Sequence, residues 1–416
     1  MVIPILSVLL NITLFMISLF LKNRYLSFIL FWWLLWFSLA SVNVFKLTDL
    51  NQEIYFVVYS LIISILLGAF YAEHAGQLGR KSRPFEVDLS GRFVLLIRVI
   101  VFCYVSYISF KFYSYLVDGG SLLEYRAKVF TDSSPIYTSK ISHYFARFFI
   151  GPLGYILLFI GISFTCLRGD TRLLVPACVL FLAISIVEFG RFGLYNIIFF
   201  AIIYILNNFR KMNAKFFVFL VSVFIVIFAV TYFRSAEGES VLRLIFELYI
   251  IKYHTLGFYI LNFELSNPQS IIHDKTLGLT TVYSIFDPVI SILRYFSFPV
   301  PVPESGIVGK YLDDYRYLGT DINGDPFYSN AFGTILFGLY RDGGLVGVAL
   351  FGSVWGFMVH CLFKNKNGVV TFAALIGLLH LCFFGIFQPN FSFIFISSLI
   401  FIVFCPAIYL SSKKNI

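Results

Sequence analysis

Charge is what this 416-residue chain has least of: Asp, Glu, Lys and Arg together make up 13% of it, about half the share of an ordinary soluble domain. With 59% hydrophobic residues and a mean hydropathy of +0.87, the composition excludes a soluble globular protein and predicts a polytopic integral membrane protein. Regular apolar-polar alternation is also missing, which excludes a β-barrel and leaves helices. The six cysteines (Cys103, Cys166, Cys178, Cys361, Cys382, Cys405) all lie in apolar runs. None is in a polar loop, where a disulfide framework or a zinc site would need it. Met1 to Leu21 lacks a basic leader and a small-residue cleavage site, so it reads as a retained first span. No Walker A, GxGxxG, HExxH or CxxC pattern is present, and ATP-driven chemistry is not expected.

What is present is a series of long apolar runs. A bilayer core about 30 Å thick takes roughly 20 residues per helix. The runs predict spans at 2–21, 25–45, 54–72, 93–113, 146–166, 174–189, 192–208, 216–233, 344–363, 369–387 and 391–410. The expected fold class is all-α, a polytopic helical bundle of about eleven transmembrane helices with a long, partly helical extracytoplasmic loop. In domain terms, 1–233 is a first membrane bundle with a loop at 114–145, 234–330 is the large polar loop, and 331–416 is a C-terminal membrane bundle.

The connectors alternate in charge. Those carrying Lys22/Arg24, Arg80/Lys81/Arg83/Arg92, Arg168/Arg172, Arg210/Lys211/Lys215, Lys364/Lys366 and Lys413/Lys414 hold few acids, namely Glu73, Glu86, Asp88 and Asp170. The other set is slightly acidic, and Arg98 lies inside the fourth span. The positive-inside rule then predicts an extracytoplasmic amino terminus, a cytoplasmic carboxyl terminus and an extracytoplasmic polar island. The sequence pI near 9.1 is therefore topogenic charge spread over short loops, and nucleic acid is not an expected partner.

The island, Arg234 to Asn330, is far longer than a turn requires. It is expected to hold an amphipathic helix over 241–265, a second over 281–295, a strap at Pro299, Pro301 and Pro303 that cannot continue a helix, and a Gly/Asp/Asn-rich stretch to Asn330. Such helices would lie on the membrane surface or cap the bundle. Its candidate cations include Arg234, Arg243, Lys252, Arg294 and Arg316, and its candidate proton acceptors Glu247, His254, Asp287 and Asp313/Asp314. Tyr311, Tyr315, Tyr317, Phe327 and Tyr328 suit either a membrane interface or stacking on sugar rings. Gly190-Arg191-Phe192-Gly193 joins two spans with Glu188 one turn back, so Arg191 is either an anchor or an anion-binding group. Arg341-Asp342, followed by Gly343-Gly344, is expected at a helix break close to the membrane boundary, where irregular backbone lines a cavity or is buried in protein. Gly347, Gly352 and Gly356 suit close helix packing. No acidic and histidine cluster at ligand spacing stands out, so no metal is expected.

The stretch from Asn330 through Thr334, Tyr340, Asp342 and Gly344 to Gly347 resembles the Wzy-type oligosaccharide repeat-unit polymerases of surface polysaccharide assembly. These carry an Asn, a Thr and then an aromatic-x-Asp-x-Gly-x-x-Gly before a late span. Gly190 to Gly193 is similar to the Gly/Ser-Arg-Gly element of that family, and the layout of spans with one long late loop matches throughout. The Arg-x10-Gly loop repeats of some members are absent, because Ile202 and Phe327 stand where Arg191 and Arg316 would call for glycine.

The resemblance implies a glycosyltransferase that transfers a growing glycan from undecaprenyl diphosphate onto another lipid-linked repeat unit, in the bacterial inner membrane and at its outer face. Donor and acceptor are then undecaprenyl-diphosphate-linked oligosaccharides, with membrane lipid and a chain-length regulator as further candidate partners. No cofactor is needed, since the donor is already activated. Arg191 and Arg341 would grip the diphosphate with help from Arg234, Arg243 or Arg294, because arginine forks neutralise a leaving diphosphate well. A carboxylate or His254 would serve as general base, and Asp342 would orient Arg341. An O-antigen-type ligase and a polysaccharide-lipid flippase or transporter share much of this layout and stay open as alternatives.

Overall fold

The computed structural model of the chain describes residues 2–44, 46–75, 89–129, 134–190, 192–208, 214–232, 250–281, 286–320, 324–330, 333–388, 398–400 and 402. Two compact units divide it. One is Met1–Ser82 with Leu242–Lys366 and Gly377–Ile396, and the other is Arg83–Val241 with Asn367–Ile376 and Ser397–Ile416. Six helices are long and apolar enough to cross a membrane, and four shorter apolar helices accompany them among the described residues. The chain is an all-α, multi-pass membrane protein.

The first unit opens with α1 (Val2–Phe20), α2 (Arg24–Ser41) and α3 (Gln52–Ala75). Asn23 starts α2 by accepting the Leu26 N–H, the usual remedy for an orphan donor at a helix entry. Tyr25, Leu26, Ile29, Leu30, Trp33 and Phe37 of α2 are fully or nearly fully buried. Asn11 and Tyr59 hydrogen-bond at 3.0 Å to tie α1 to α3.

The second unit holds α4 (Gly91–Val117), α5 (Leu122–Val129), α6 (Lys140–Phe145), α7 (Gly151–Arg168), α8 (Leu174–Val187), α9 (Phe192–Asn208) and α10 (Ala214–Tyr232). Within the loop expected at 114–145, Asp118 ends α4 and the short helix α5 follows. A one-turn π segment, Ala146–Ile150, joins α6 to α7, so the span expected from 146 is extended at its start. Arg98 is exposed on α4 in its second turn, where a long side chain reaches polar surroundings by snorkelling.

The chain returns to the first unit with α11 (Tyr253–Ser266), α12 (Asp287–Tyr295), α13 (Glu304–Leu312), the strands β1 (Arg316–Thr320) and β2 (Pro326–Ser329), and α14 (Ile335–Lys364). Then comes α15 (Val369–Phe384), of which the part from residue 377 belongs to this unit. Of the helix expected over 241–265, residues 241–249 lie outside the described residues, and the described remainder differs from the expectation. Residues 254–262 of α11 are all buried, so this is an enclosed helix and not an amphipathic one lying on a surface. Tyr259 donates to the Ala40 carbonyl at 3.0 Å, and Asn262 Oδ1 accepts the Asn51 N–H at 2.8 Å. These bonds clasp α11 to the end of α2 and to the α2–α3 loop.

The second expected helix is present but shorter, and only part of its apolar surface is packed: Ile290 is buried while Val289 and Ile292 are exposed. The proline strap is non-helical as expected and ends at Pro303, directly before α13. The Gly/Asp/Asn-rich stretch, for which the sequence suggests no regular element, holds two short strands. It folds into the antiparallel hairpin β1–β2, with Tyr317 opposite Tyr328. Leu318 is fully buried, and its carbonyl accepts the Thr48 N–H at 2.9 Å.

α14 packs along α3 at very short range. A Cβ on Gly356 would collide with the Ile65 carbonyl, one on Gly68 with the Ser353 carbonyl, and one on Gly352 would lie 2.8 Å from the Leu61 carbonyl oxygen. Gly352 and Gly356 thus serve close packing as the sequence suggests. Gly347 does so within α14 itself, against the Leu339 carbonyl. The expected span 344–363 is the second segment of α14, which begins at Ile335 and breaks at Gly343 and Gly344. Of the span expected at 391–410, all but residues 398–400 and 402 lie outside the described residues.

Candidate functional site

The break in α14 positions the most informative side chains. Gly344 has φ +60° and ψ −148°, a conformation open to glycine and strained for other residues. The helix therefore stops just after Arg341-Asp342, which the sequence places at a helix break. Both side chains are buried; Arg341 is only 5% exposed.

Asp342 is fully engaged away from Arg341. Its carboxylate accepts the Thr276 hydroxyl at 2.6 Å, the Thr280 N–H at 2.9 Å and the Thr281 N–H at 3.0 Å. The Thr276 and Leu277 N–H groups donate in turn to the Arg341 and Asp342 carbonyls. Four backbone N–H groups and a hydroxyl thus lock the 272–281 loop onto the end of the first α14 segment. The expectation that Asp342 orients Arg341 is corrected: a carboxylate already accepting from two amides and a hydroxyl is committed to the loop. It fixes Arg341 only through the backbone.

Arg341 finds its counter-charge on α13. Its Nη2 lies 2.9 Å from Oε2 of Glu304, the first residue of that helix. The pair is close but not aligned as a hydrogen bond. Nε and Nη1 of Arg341 are buried and have no hydrogen-bond partner among the described residues. An orphaned buried donor costs roughly 1–3 kcal/mol, so a guanidinium held like this is organised for something other than stability.

Neighbouring groups extend the site. Lys275 Nζ donates to the Tyr340 carbonyl at 2.9 Å and sits 4.2 Å over the Tyr340 ring, while the Tyr340 hydroxyl donates to Glu53 at 2.7 Å. Thr334, seven residues before Arg341 and so on the same face of the first segment, is fully buried, and its hydroxyl has no hydrogen-bond partner among the described residues. Asn330 donates to the Asp313 carbonyl at 2.8 Å.

The remaining candidates are scattered or undescribed. His254 is 2% exposed, donates Nδ1 to the Ile250 carbonyl, and stacks on Trp36 at 4.4 Å with Trp32 and Phe387 edge-on. Burial lowers the imidazole to about 4. An enclosed, aromatic-caged ring is placed as a core residue, and its expected role as general base is not carried forward. Arg294 is exposed in the last turn of α12 and makes no contact with Arg341.

Arg316 is buried in an ion pair with Glu264, whose carboxylate also accepts the Tyr311 hydroxyl at 2.8 Å. That pair holds the hairpin on α11. In the second unit, Gly193 lets α9 approach the Phe181 carbonyl, and Glu188 accepts the Tyr137 hydroxyl at 3.2 Å. Arg191, Arg234, Arg243 and Glu247 lie outside the described residues.

Glu304 is the residue that sequence reading missed. Its one signal is position: a carboxylate directly after a proline strap, at the start of a helix. The arrangement as a whole can bind an anion, with a rigidly backed, buried guanidinium presenting two unused nitrogens. No protein-family model, no curated protein and no solved structure matches this chain.

Proposed function

We propose that the protein is a glycosyltransferase that polymerises polyprenyl-diphosphate-linked oligosaccharide repeat units into a surface polysaccharide. The observation that carries this reading is Arg341: 5% exposed, fixed at a helix break, and left with two buried guanidinium nitrogens unpartnered among the described residues. Those nitrogens lie on the two separate forks of the guanidinium, Nε/Nη2 and Nη1/Nη2, and a diphosphate has two phosphate groups to offer them. The resemblance of 330–347 to the Wzy-type polymerases, whose Asn, Thr and Asp fall at Asn330, Thr334 and Asp342 around this same break, supports the assignment.

The proposed reaction takes place at the extracytoplasmic face of the bacterial inner membrane, in a bundle of about eleven spans oriented by its basic loops with the amino terminus outside. An acceptor sugar hydroxyl attacks the anomeric carbon of the donor. The new glycosidic C–O bond forms as the C–O bond to the diphosphate breaks, and the hydroxyl proton leaves to a carboxylate or to solvent. Arg341 stabilises the charge that develops on the departing diphosphate. Exposed Tyr317 and Tyr328, with ring centroids 5.5 Å apart on the hairpin, offer a stacking shelf for the acceptor glycan.

Deletion of the gene followed by sizing of the surface polysaccharide tests the reading. Surface glycan capped at one repeat unit supports a polymerase. Full polymer stranded on its lipid carrier would identify a ligase instead, and loss of all surface glycan a flippase.

A further inference from the structure

Arg341 belongs to a membrane-crossing helix, and the anions most abundant around such a helix are phospholipid headgroups. A buried arginine open to them would be occupied permanently by a phosphodiester, because mass action at the headgroup layer overwhelms modest differences in affinity. The structure contains a counter to this. Glu304 places Oε2 2.9 Å from Arg341 Nη2 without making an aligned hydrogen bond, and leaves Nε and Nη1 unpartnered among the described residues. Charge is satisfied while geometry is not.

The carboxylate is delivered by a stiff element. Pro299, Pro301 and Pro303 restrict the strap, Pro303 sits in extended geometry at φ −57° and ψ 141°, and Glu304 follows as the first residue of α13. Tyr311 packs on Phe337 to hold α13 against the first segment of α14. The Glu304 side chain is 22% exposed, so rotation about its own bonds is enough to take the carboxylate off Arg341 with the helix staying in place.

From this geometry we infer that Glu304 is a specificity-determining residue: an internal anion that keeps singly charged phosphodiesters off Arg341 and yields to a diphosphate. A tethered carboxylate competes at high effective concentration. A phosphodiester brings one negative charge and gains little by replacing another. A diphosphate brings at least two charges and, once the carboxylate has swung off Nη2, oxygens for both forks of the guanidinium, Nε/Nη2 and Nη1/Nη2, so it wins on both Coulomb attraction and hydrogen bonding. This rests on the diphosphate reading of Arg341 and adds how the site tells its substrate from the bilayer.

The test measures inorganic pyrophosphate binding to the full chain in nanodiscs of phosphatidylcholine alone and of phosphatidylcholine with phosphatidylglycerol. Wild-type protein is expected to bind pyrophosphate with Kd unchanged within about twofold between the two lipid compositions. Glu304→Gln is expected to bind it about tenfold tighter in phosphatidylcholine and to lose tenfold or more when phosphatidylglycerol is present. Glu304→Asp, which keeps the charge, should retain the exclusion. Strong competition by phosphatidylglycerol in the wild type overturns the inference without recourse to any variant. So does a Glu304→Gln protein that behaves as wild type, in which case pyrophosphate binding that disappears in Arg341→Gln leaves the diphosphate reading standing. If wild type and Arg341→Gln both fail to bind pyrophosphate, that reading falls and the inference falls with it.

Discussion

The Asp342 carboxylate accepts the Thr280 backbone N–H at 2.9 Å, and this bond, rather than any contact with Arg341, is what Asp342 does. With the Thr276 hydroxyl and the Thr281 N–H on the same carboxylate, the loop and the broken helix become one rigid body behind Arg341. Asp342→Ala removes three bonds to a charged acceptor and should destabilise the protein by about 3–5 kcal/mol, given about 1.5–3 kcal/mol for each such bond and partial rescue by water. Hydrogen exchange at the Thr280 and Thr281 amides checks the mechanism. Both should lose protection, and unchanged exchange would remove Asp342 from this role.

The buried pair Arg316–Glu264 should behave as a structural clamp and not as part of the reaction. Removing one partner leaves the other charge buried, at a cost of about 3–5 kcal/mol. Glu264→Gln is therefore expected to lower the thermal midpoint sharply in detergent. A midpoint within a degree of wild type would mean that the pair does not hold the hairpin on α11.

His254 gives the first unit an acid sensitivity. Its folded-state value of about 4 lies below the ordinary value of 6.5, so the unfolded chain takes up a proton that the folded chain refuses. Above pH 6.5 both states are neutral and the residue makes no difference. As pH falls from 6.5 toward 4, stability drops, by about 2 kcal/mol at pH 5 on that shift. Thermal midpoints at pH 7.5 and pH 5 should differ more for wild type than for His254→Phe; equal differences would show that His254 is not the group responsible.

Gly356 is the tightest test of the α3–α14 contact. A methyl group there meets the Ile65 carbonyl, and overpacking of this kind costs about 1–3 kcal/mol. Gly356→Ala should be less stable than Gly309→Ala, whose added Cβ meets nothing within 4 Å. The reverse order would contradict the packing described.

Tyr317 and Tyr328 are exposed, so their replacement by alanine leaves the core intact. If they carry the acceptor glycan, Tyr317→Ala/Tyr328→Ala should shorten the polysaccharide with an unaltered thermal midpoint. A wild-type length distribution would assign the pair to the membrane interface instead.

Much of this architecture is legible in the sequence, because local signals set it. The run expected at 192–208 is the helix Phe192–Asn208, and the break after Asp342 is announced by Gly343-Gly344. The Gly-rich face of α14 announces its close neighbour. What the sequence hides depends on contacts between distant segments. α11 looks amphipathic as a string of residues, yet is enclosed because the end of α2 and the α2–α3 loop clasp one side and Trp32 and Trp36 cover another. The hairpin lies in a Gly/Asp/Asn-rich stretch with no strand signal of its own, and the Thr48–Leu318 bond and the Arg316–Glu264 pair give it a place. Glu304 carries no motif at all, and its meaning comes from Arg341 alone.

The central claim is that Arg341 receives the donor's diphosphate. Its most direct test is the length of the surface polysaccharide made by Arg341→Ala and Arg341→Lys, with protein abundance measured in the same cells. Lysine keeps the charge but loses the planar fork, so the account predicts that both variants, at wild-type abundance, leave surface glycan at one repeat unit or close to it. Full-length polysaccharide from both would contradict it.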